Sequence, residues 1–290
     1  MNKIRTSLVI TAAGLAAALA VTLPATAATS HRTSPPPAGS VRLTGPMHAN
    51  PAFRYRTNLA SPRPLHANTV SSQNWSGYAI TAKSGQTLKR IQALFTVPNV
   101  NCARSTLGTN GAVFSEWAGL DGFTTATVEQ AGVGAECTST TSPATYFAFY
   151  EMFPNVGVTF TGVNPGDAIV VIVQRVSTGW NLVLQDRTTG GGFSTVQPCP
   201  SGSTCRDANA EEITEDFNGS VPAGFNLADF GIDNQTDLVA VSGSGRSGSL
   251  LSGGLWTSST IDMVNGADQM ATPGPLYGGE AFYLSWNASS

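Results

Sequence analysis

The stretch ANAEEITEDF, residues 208–217, places Glu211, Glu212, Glu215 and Asp216 within six positions of a chain that is only 11% charged. Ile213, Thr214 and Phe217 among them favour a strand over a disordered acidic run. Alternation along a strand puts Glu211, Ile213, Glu215 and Phe217 on one face and Glu212, Thr214 and Asp216 on the other. Carboxylates held beside apolar residues on a sheet face are suited to acid–base work on water. Histidine does not compete for that role: His31, His48 and His66 all precede Val70. A domain beginning after Val70 therefore excludes Ser-His-Asp catalysis, Cys-His catalysis and a His-ligated zinc. Asp, Glu, a few Lys and Tyr remain, with amides as hydrogen-bonding partners.

The elements that must position these carboxylates begin well into the chain. Lys3 and Arg5 precede an apolar run from Leu8 to Leu23, and Ala25-Thr26-Ala27 is a small-x-small cleavage site. Residues 1–27 thus read as a secretory signal peptide rather than a membrane anchor, and the rest as an exported chain that no segment holds in a membrane. Residues 28–70 are rich in Pro and Arg and lack a strand or helix period, as a linker or removable pro-segment would be. They carry Arg32, Arg42, Arg54, Arg56 and Arg63 and no acid. Residues 71–290 carry all 18 acids against eight bases, a net charge near −10. Such a domain repels nucleic acid, and its mutual repulsion is relieved in acid. Four cysteines in an exported chain imply disulfides, with three connectivities available. The short loop between Cys199 and Cys205 favours that pair, which leaves Cys102 with Cys137. Their spacing matches no zinc pattern, so no metal and no cofactor is expected.

Beyond Ser71 the chain reads as many short strands. SGYAITA, KRIQALFTV, AVFSEWAGL, TATVEQAG, YFAFYEMF, GVTFTG, AIVVIVQRV, WNLVLQD, EEITEDF, DLVAVSG and EAFYLSW are enriched in β-branched and aromatic residues, and turn residues separate most of them. KRIQALFTV puts Ile91, Ala93, Phe95 and Val97 on one face; WNLVLQD does so with Leu182 and Leu184. The expected fold is all-β: a sandwich of two packed antiparallel sheets, of jelly-roll or concanavalin-like type. Glu116 and Glu129 are expected at the surface or rim.

NWSGYAI from Asn74, WAGLDG from Trp117, VEQAG from Val128, FYEMFP from Phe149 and AEEITEDF from Ala210 occur in an order and spacing that resemble the glutamic peptidases, the eqolisins. That resemblance implies a β-sandwich and a secreted endopeptidase that acts in acid. It maps a catalytic glutamine and glutamate onto Gln130 and Glu215, supporting residues onto Trp117 and Asp121, and a further carboxylate onto Glu151. Glu211 shares the Glu215 face and is expected to support or bind. Two positions depart from the family pattern: Gly134, where an Asp is frequent, and Glu212, where a Trp is common. With an ordinary Glu pKa of about 4.3, an ionised Glu215 would serve as base in mild acid.

The expected partners are protein or peptide substrates, and residues 28–70 are expected to inhibit the domain as a basic partner to an acidic one. The domain is expected to act as a monomer. Two competing readings are a non-catalytic sandwich that binds sugars or peptides, and a glycosidase working through paired carboxylates.

Overall fold

The computed structural model describes residues 54–55, 68–217 and 225–289. Among them there is no helix; two seven-stranded antiparallel layers carry the fold. The first layer runs β8 (Val158–Phe160), β7 (Thr145–Phe153), β6 (Val128–Cys137), β5 (Gly111–Leu120), β12 (Asn209–Glu215), β3 (Trp75–Ala82) and β16 (Trp256–Asn265). The second runs β11 (Gly192–Gln197), β10 (Gly179–Asp186), β9 (Ala168–Val176), β4 (Leu88–Thr96), β14 (Ile232–Ser242), β18 (Phe282–Trp286) and β17 (Asp268–Pro273). The β16–β17 hairpin links the two layers. Short strands complete the sheet: β1 (Arg54–Tyr55) pairs with β2 (Thr69–Ser72), β2 lies parallel to β16, β13 (Phe225–Leu227) parallel to β5, and β15 (Ser247–Gly248) beside β14.

Alternation decides which residues fill the space between the layers. Ile80, Phe114, Ala118, Ala131 and Val133 of the first layer meet Ile91, Ala93, Phe95, Val171 and Leu182 of the second in one buried cluster. The apolar faces expected for KRIQALFTV and WNLVLQD are those that turn inward. The opposite face of the first layer carries a second buried cluster: Val70, Trp75, Ala79, Val113, Trp117, Phe147, Phe149, Ile213 and Phe217. This face also carries the candidate site residues Gln130, Glu151, Glu211 and Glu215.

Both disulfides form, Cys102–Cys137 and Cys199–Cys205. The first ties the end of β6 to the loop after β4. Residues 1–27 lie outside the described residues, as do residues 28–53 and 56–67. The domain start expected at residue 71 falls inside β2, and the Asn68 amide already bonds to the Ser258 carbonyl.

The surface or rim position expected for Glu116 and Glu129 is overturned, because both are fully buried. Each sits one residue from a side chain of the candidate-site face, Glu116 beside Trp117 and Glu129 beside Gln130. Strand alternation therefore sends both carboxyls into the interlayer space. Burial, then the charge of Asp121, pushes the Glu129 carboxyl well above its ordinary range.

Candidate active site

The register of the first layer fixes which residues can act together. Across β12, β5, β6 and β7, one row of partners reads Glu211, Gly119, Gln130, Glu151. A second row, four residues along, reads Glu215, Ser115, Gly134, Phe147. Directly paired residues in an antiparallel ladder point to the same face, so Gln130, Glu151, Glu211 and Glu215 share one. Trp117 lies between the rows, on the strand that separates Gln130 from Glu215.

Glu215 is fixed from two sides. Trp117 Nε1 donates to its Oε2 at 2.8 Å, and Asn74 Nδ2 donates to its Oε1 at 2.9 Å. Asn74 is itself held in place: Ser72 Oγ bonds to Asn74 Oδ1 at 3.1 Å and accepts from the Asn74 and Trp75 backbone amides. The carboxylate is buried, at 1% exposure. The Trp117 and Asn74 side chains hold both of its oxygens in place.

Gln130 is oriented by a single strong contact. Its Nε2 donates to Glu151 Oε2 at 2.7 Å. That bond settles which end of the amide is nitrogen. The second N–H remains to be used, and Oε1 is buried without a donor. No hydrogen bond joins Gln130 directly to Glu215.

Two glycines make room for the tryptophan. A Cβ on Gly132 would meet the Glu116 carbonyl at 2.1 Å and the Trp117 Cβ at 2.6 Å. A Cβ on Gly119 would meet Trp117 Cζ3 at 3.0 Å and the Gln130 Cβ at 3.3 Å. The indole thus runs from Glu215 at its nitrogen to the flank of Gln130 at its benzo edge. Trp75 packs edge-on against it with centroids 5.0 Å apart. Gly134 explains one departure from the family pattern. A Cβ there would meet the Phe147 ring at 2.4 Å, so an aromatic side chain occupies the space that an Asp would use. Phe147, Phe149 and Phe217 form an apolar wall beside Glu215.

Asp121 does not reach this face. With φ at 65°, it turns its carboxylate onto the backbone amides of Arg206, Asp207 and Ala208, at 2.6, 2.7 and 2.8 Å. It therefore anchors the segment that leads into β12. We expect Asp121→Ala to leave three amides without their acceptor and to cost about 3 kcal/mol, lowering Tm by about 6–12 °C in thermal unfolding. An unchanged Tm would contradict this anchoring. Glu211 is buried beneath the following loop, where its Oε1 accepts from the Phe123 amide at 3.3 Å. Burial, then the charge of Asp121, pushes its carboxyl well above the usual range.

The structure thus brings Gln130 to Glu151 and Glu215 to Trp117, and sets Asp121 and Glu211 to the support of β12 and its loop. Asn74 is a residue that the sequence motifs contained but did not single out. It lies in a sequon, N-W-S, but its burial makes it unavailable to a glycan.

The sequence profile of the Peptidase A4 family matches residues 73–285. The chain belongs to the Peptidase A4 family. Scytalidopepsin B of Scytalidium lignicola is 35% identical over 166 residues, which is 54% of this chain and 58% of that protein. The chain thus spans less than two thirds of that relative's length. Among solved structures, scytalido-glutamic peptidase with a peptide-based transition-state analogue superposes with a TM-score of 0.60 at 28% identity, over 74% of this chain and 98% of the other. A second, SCP-B of the eqolisin family in complex with the tripeptide Ala-Ile-His, gives 0.58 at 26% identity over the same shares. Aspergilloglutamic peptidase from Aspergillus niger gives 0.52 at 25% identity, over 61% of this chain and 99% of the other. The layered sheets of this Peptidase A4 chain are therefore the sandwich expected of it. The matched span contains Asn74, Trp117, Gln130, Glu151 and Glu215.

Proposed function

We propose that this Peptidase A4 chain is a secreted endopeptidase that works in acid, with Glu215 as general base and Gln130 as the oxyanion donor. The observation that carries the reading is the state of the Gln130 amide. Glu151 takes one of its N–H groups and so fixes its orientation, while its other N–H and its Oε1 keep their capacity. It shares a sheet face with a carboxylate that two neutral donors hold.

The reaction follows from those capacities. A water sits between the two side chains and against the carbonyl of the bound peptide. Glu215 takes a proton from that water as its oxygen attacks the carbonyl carbon. Negative charge grows on the carbonyl oxygen, where the remaining Gln130 N–H donates to it. The Gln130 Oε1 orients the water before attack. Glu215 then returns its proton to the amide nitrogen, the C–N bond breaks, and acid and amine products leave. Replacing the second carboxylate of an aspartic peptidase by an amide avoids two like charges competing for one proton.

The segment expected over residues 28–70, ending before Asn68, whose amide bonds to the Ser258 carbonyl, completes the proposal as an inhibitory pro-segment. Its charge is opposite to that of the domain, and acid weakens the attraction by protonating carboxylates. Casein digestion at about pH 4 tests both parts. Cleavage should persist with an aspartic-peptidase inhibitor present, and a chain starting at Asn68 should cleave at neutral pH more than the full secreted chain does. Inhibitor-sensitive cleavage would overturn the mechanism. Equal neutral-pH activity of the two chains would overturn the pro-segment.

A further inference from the structure

Three carboxyl groups that the proposed reaction does not use meet in the interior of the sandwich. Glu116 on β5 and Glu212 on β12 project from the first layer, and Asp233 on β14 from the second. All three are buried, at 0%, 0% and 1% exposure. The carboxyls of Glu116 and Asp233 lie within hydrogen-bonding reach of one another. Both oxygens of Glu116, both of Glu212 and Asp233 Oδ1 have no donor. Gln235 Nε2 reaches Asp233 Oδ2 at 3.1 Å, while its own Oε1 is buried without a donor.

Among the described residues, none that faces this cluster supplies a positive charge. From β3 comes Tyr78, paired in register with Glu212, its hydroxyl donating to the Gly274 carbonyl and its pKa pushed up to about 12, chiefly by burial. Asp262 of β16 acts on the same Tyr78 and adds a further acid. From β12 comes Thr214, and from β6 and β4 the apolar Val133 and Phe95, paired with Glu116 and Gln235. From β18 come Phe282 and Leu284, paired with Gln235 and Asp233. Ionised carboxylates in such a place would be buried charges without partners, which cost far more than a neutral acid does. A carboxyl that keeps its proton becomes a donor, and it can then satisfy an oxygen across the layer boundary.

We propose that Glu116, Glu212 and Asp233 form a proton-dependent latch between the two sheets, which holds the sandwich closed in acid and loosens it as pH rises toward neutrality. The direction follows from linkage. Burial, then the charge of Asp233, raises Glu116 and Glu212 well above the ordinary range. Burial raises Asp233 to about 6. A carboxyl whose folded pKa is raised leaves stability intact below the unfolded pKa of about 4, where both states are protonated. Above it the unfolded chain has released its protons and the folded chain has not, so stability falls with pH until the folded group also ionises. Asp233 accounts for part of the fall up to about pH 6, and the two glutamates extend it beyond. Each retained proton multiplies the unfolding constant by about tenfold per pH unit in that window. The latch does not depend on the catalytic reading. Its consequence for activity, confinement of the folded enzyme to acid, does.

The test is urea unfolding of the full chain between pH 4 and 7, in a Glu215→Gln background that should not digest itself. Adding Glu116→Gln and Glu212→Gln should leave stability at pH 4 near that of the parent, since an amide replaces a neutral acid. It should also lower the pH response of the unfolding constant by about a hundredfold per pH unit, two protons' worth. Glu129 and Glu211 are also raised and contribute equally to both proteins. An unchanged response would overturn the latch. If the double variant does not fold, Glu212→Gln alone should lower the response about tenfold. A parent chain whose unfolding constant does not change between pH 5 and 6.5 would overturn the latch without any variant. Casein cleavage by the Glu215→Gln chain at near the parental rate would count against the catalytic reading and leave this result standing.

Discussion

Glu215→Gln should reduce casein cleavage at about pH 4 by at least about a thousandfold, because an amide cannot take a proton from water. The substitution keeps the size and shape of the side chain. It does not keep the hydrogen bonds. Trp117 Nε1 and Asn74 Nδ2 both donate to Glu215, and an amide accepts through its single oxygen. One donor must therefore face an NH2 group, and we expect a loss of about 1 kcal/mol in stability alongside the catalytic loss. A folded protein with near-parental kcat would remove Glu215 from the reaction. Residual turnover is expected, since oxyanion stabilisation and substrate binding survive.

Gln130→Ala should lower kcat by about 10²–10³ with little change in KM, the size seen when one oxyanion donor is lost. The substitution also leaves Glu151 without the donor it has at 2.7 Å. A modest loss of stability should accompany the kinetic effect. Steady-state kinetics on casein or a peptide separate the competing readings. A glycosidase would depend on two carboxylates and be indifferent to Gln130 on a peptide substrate. A binding module would show no turnover in either the parent or the variant. An effect confined to KM would make Gln130 a residue that binds substrate and not one that stabilises the transition state.

Much of the fold is legible because alternation is a strong signal wherever one face is buried. Ile91, Ala93, Phe95 and Val97 recur at every second position, and the structure turns them inward. The strands β16 and β17 are harder to see. Their polar residues, Thr257, Ser258 and Ser259 among them, belong to a strand that β3 pairs in its interior, so backbone pairing rather than side-chain hydrophobicity places them. The Asn265-Gly266 step marks their turn, with Gly266 at φ 59°, and such a step is a recognised hairpin signal. Glu116 and Glu129 illustrate the opposite failure. A glutamate in a strand reads as solvent-facing, yet a sheet can bury it where burial favours its neutral form. Burial likewise raises the carboxyl of Glu212, which stands where a tryptophan is common in the family.

The site was legible as a set of types and not as a set of contacts. Parity places Glu211 and Glu215 on one face, which the ladder bears out. It says nothing of their different fates. Glu211 lies under the Phe123 amide, while Glu215 is drawn to Trp117. Asn74 was invisible as a positioning residue because its partners, Ser72 and Glu215, are two and 141 residues distant. No periodicity connects residues so far apart.

The central claim is that one amide and one carboxylate reach the same water. One intervening strand and four residues of register separate Gln130 from Glu215. In a flat sheet that amounts to roughly 17 Å between Cα atoms, so both side chains must extend toward each other along the Trp117 ring. A crystal structure of the mature enzyme in acid measures this directly. The account predicts an ordered water within hydrogen-bond distance, about 3 Å, of both the Gln130 amide and the Glu215 carboxylate. Side chains too far apart for any one water to bond to both would contradict it.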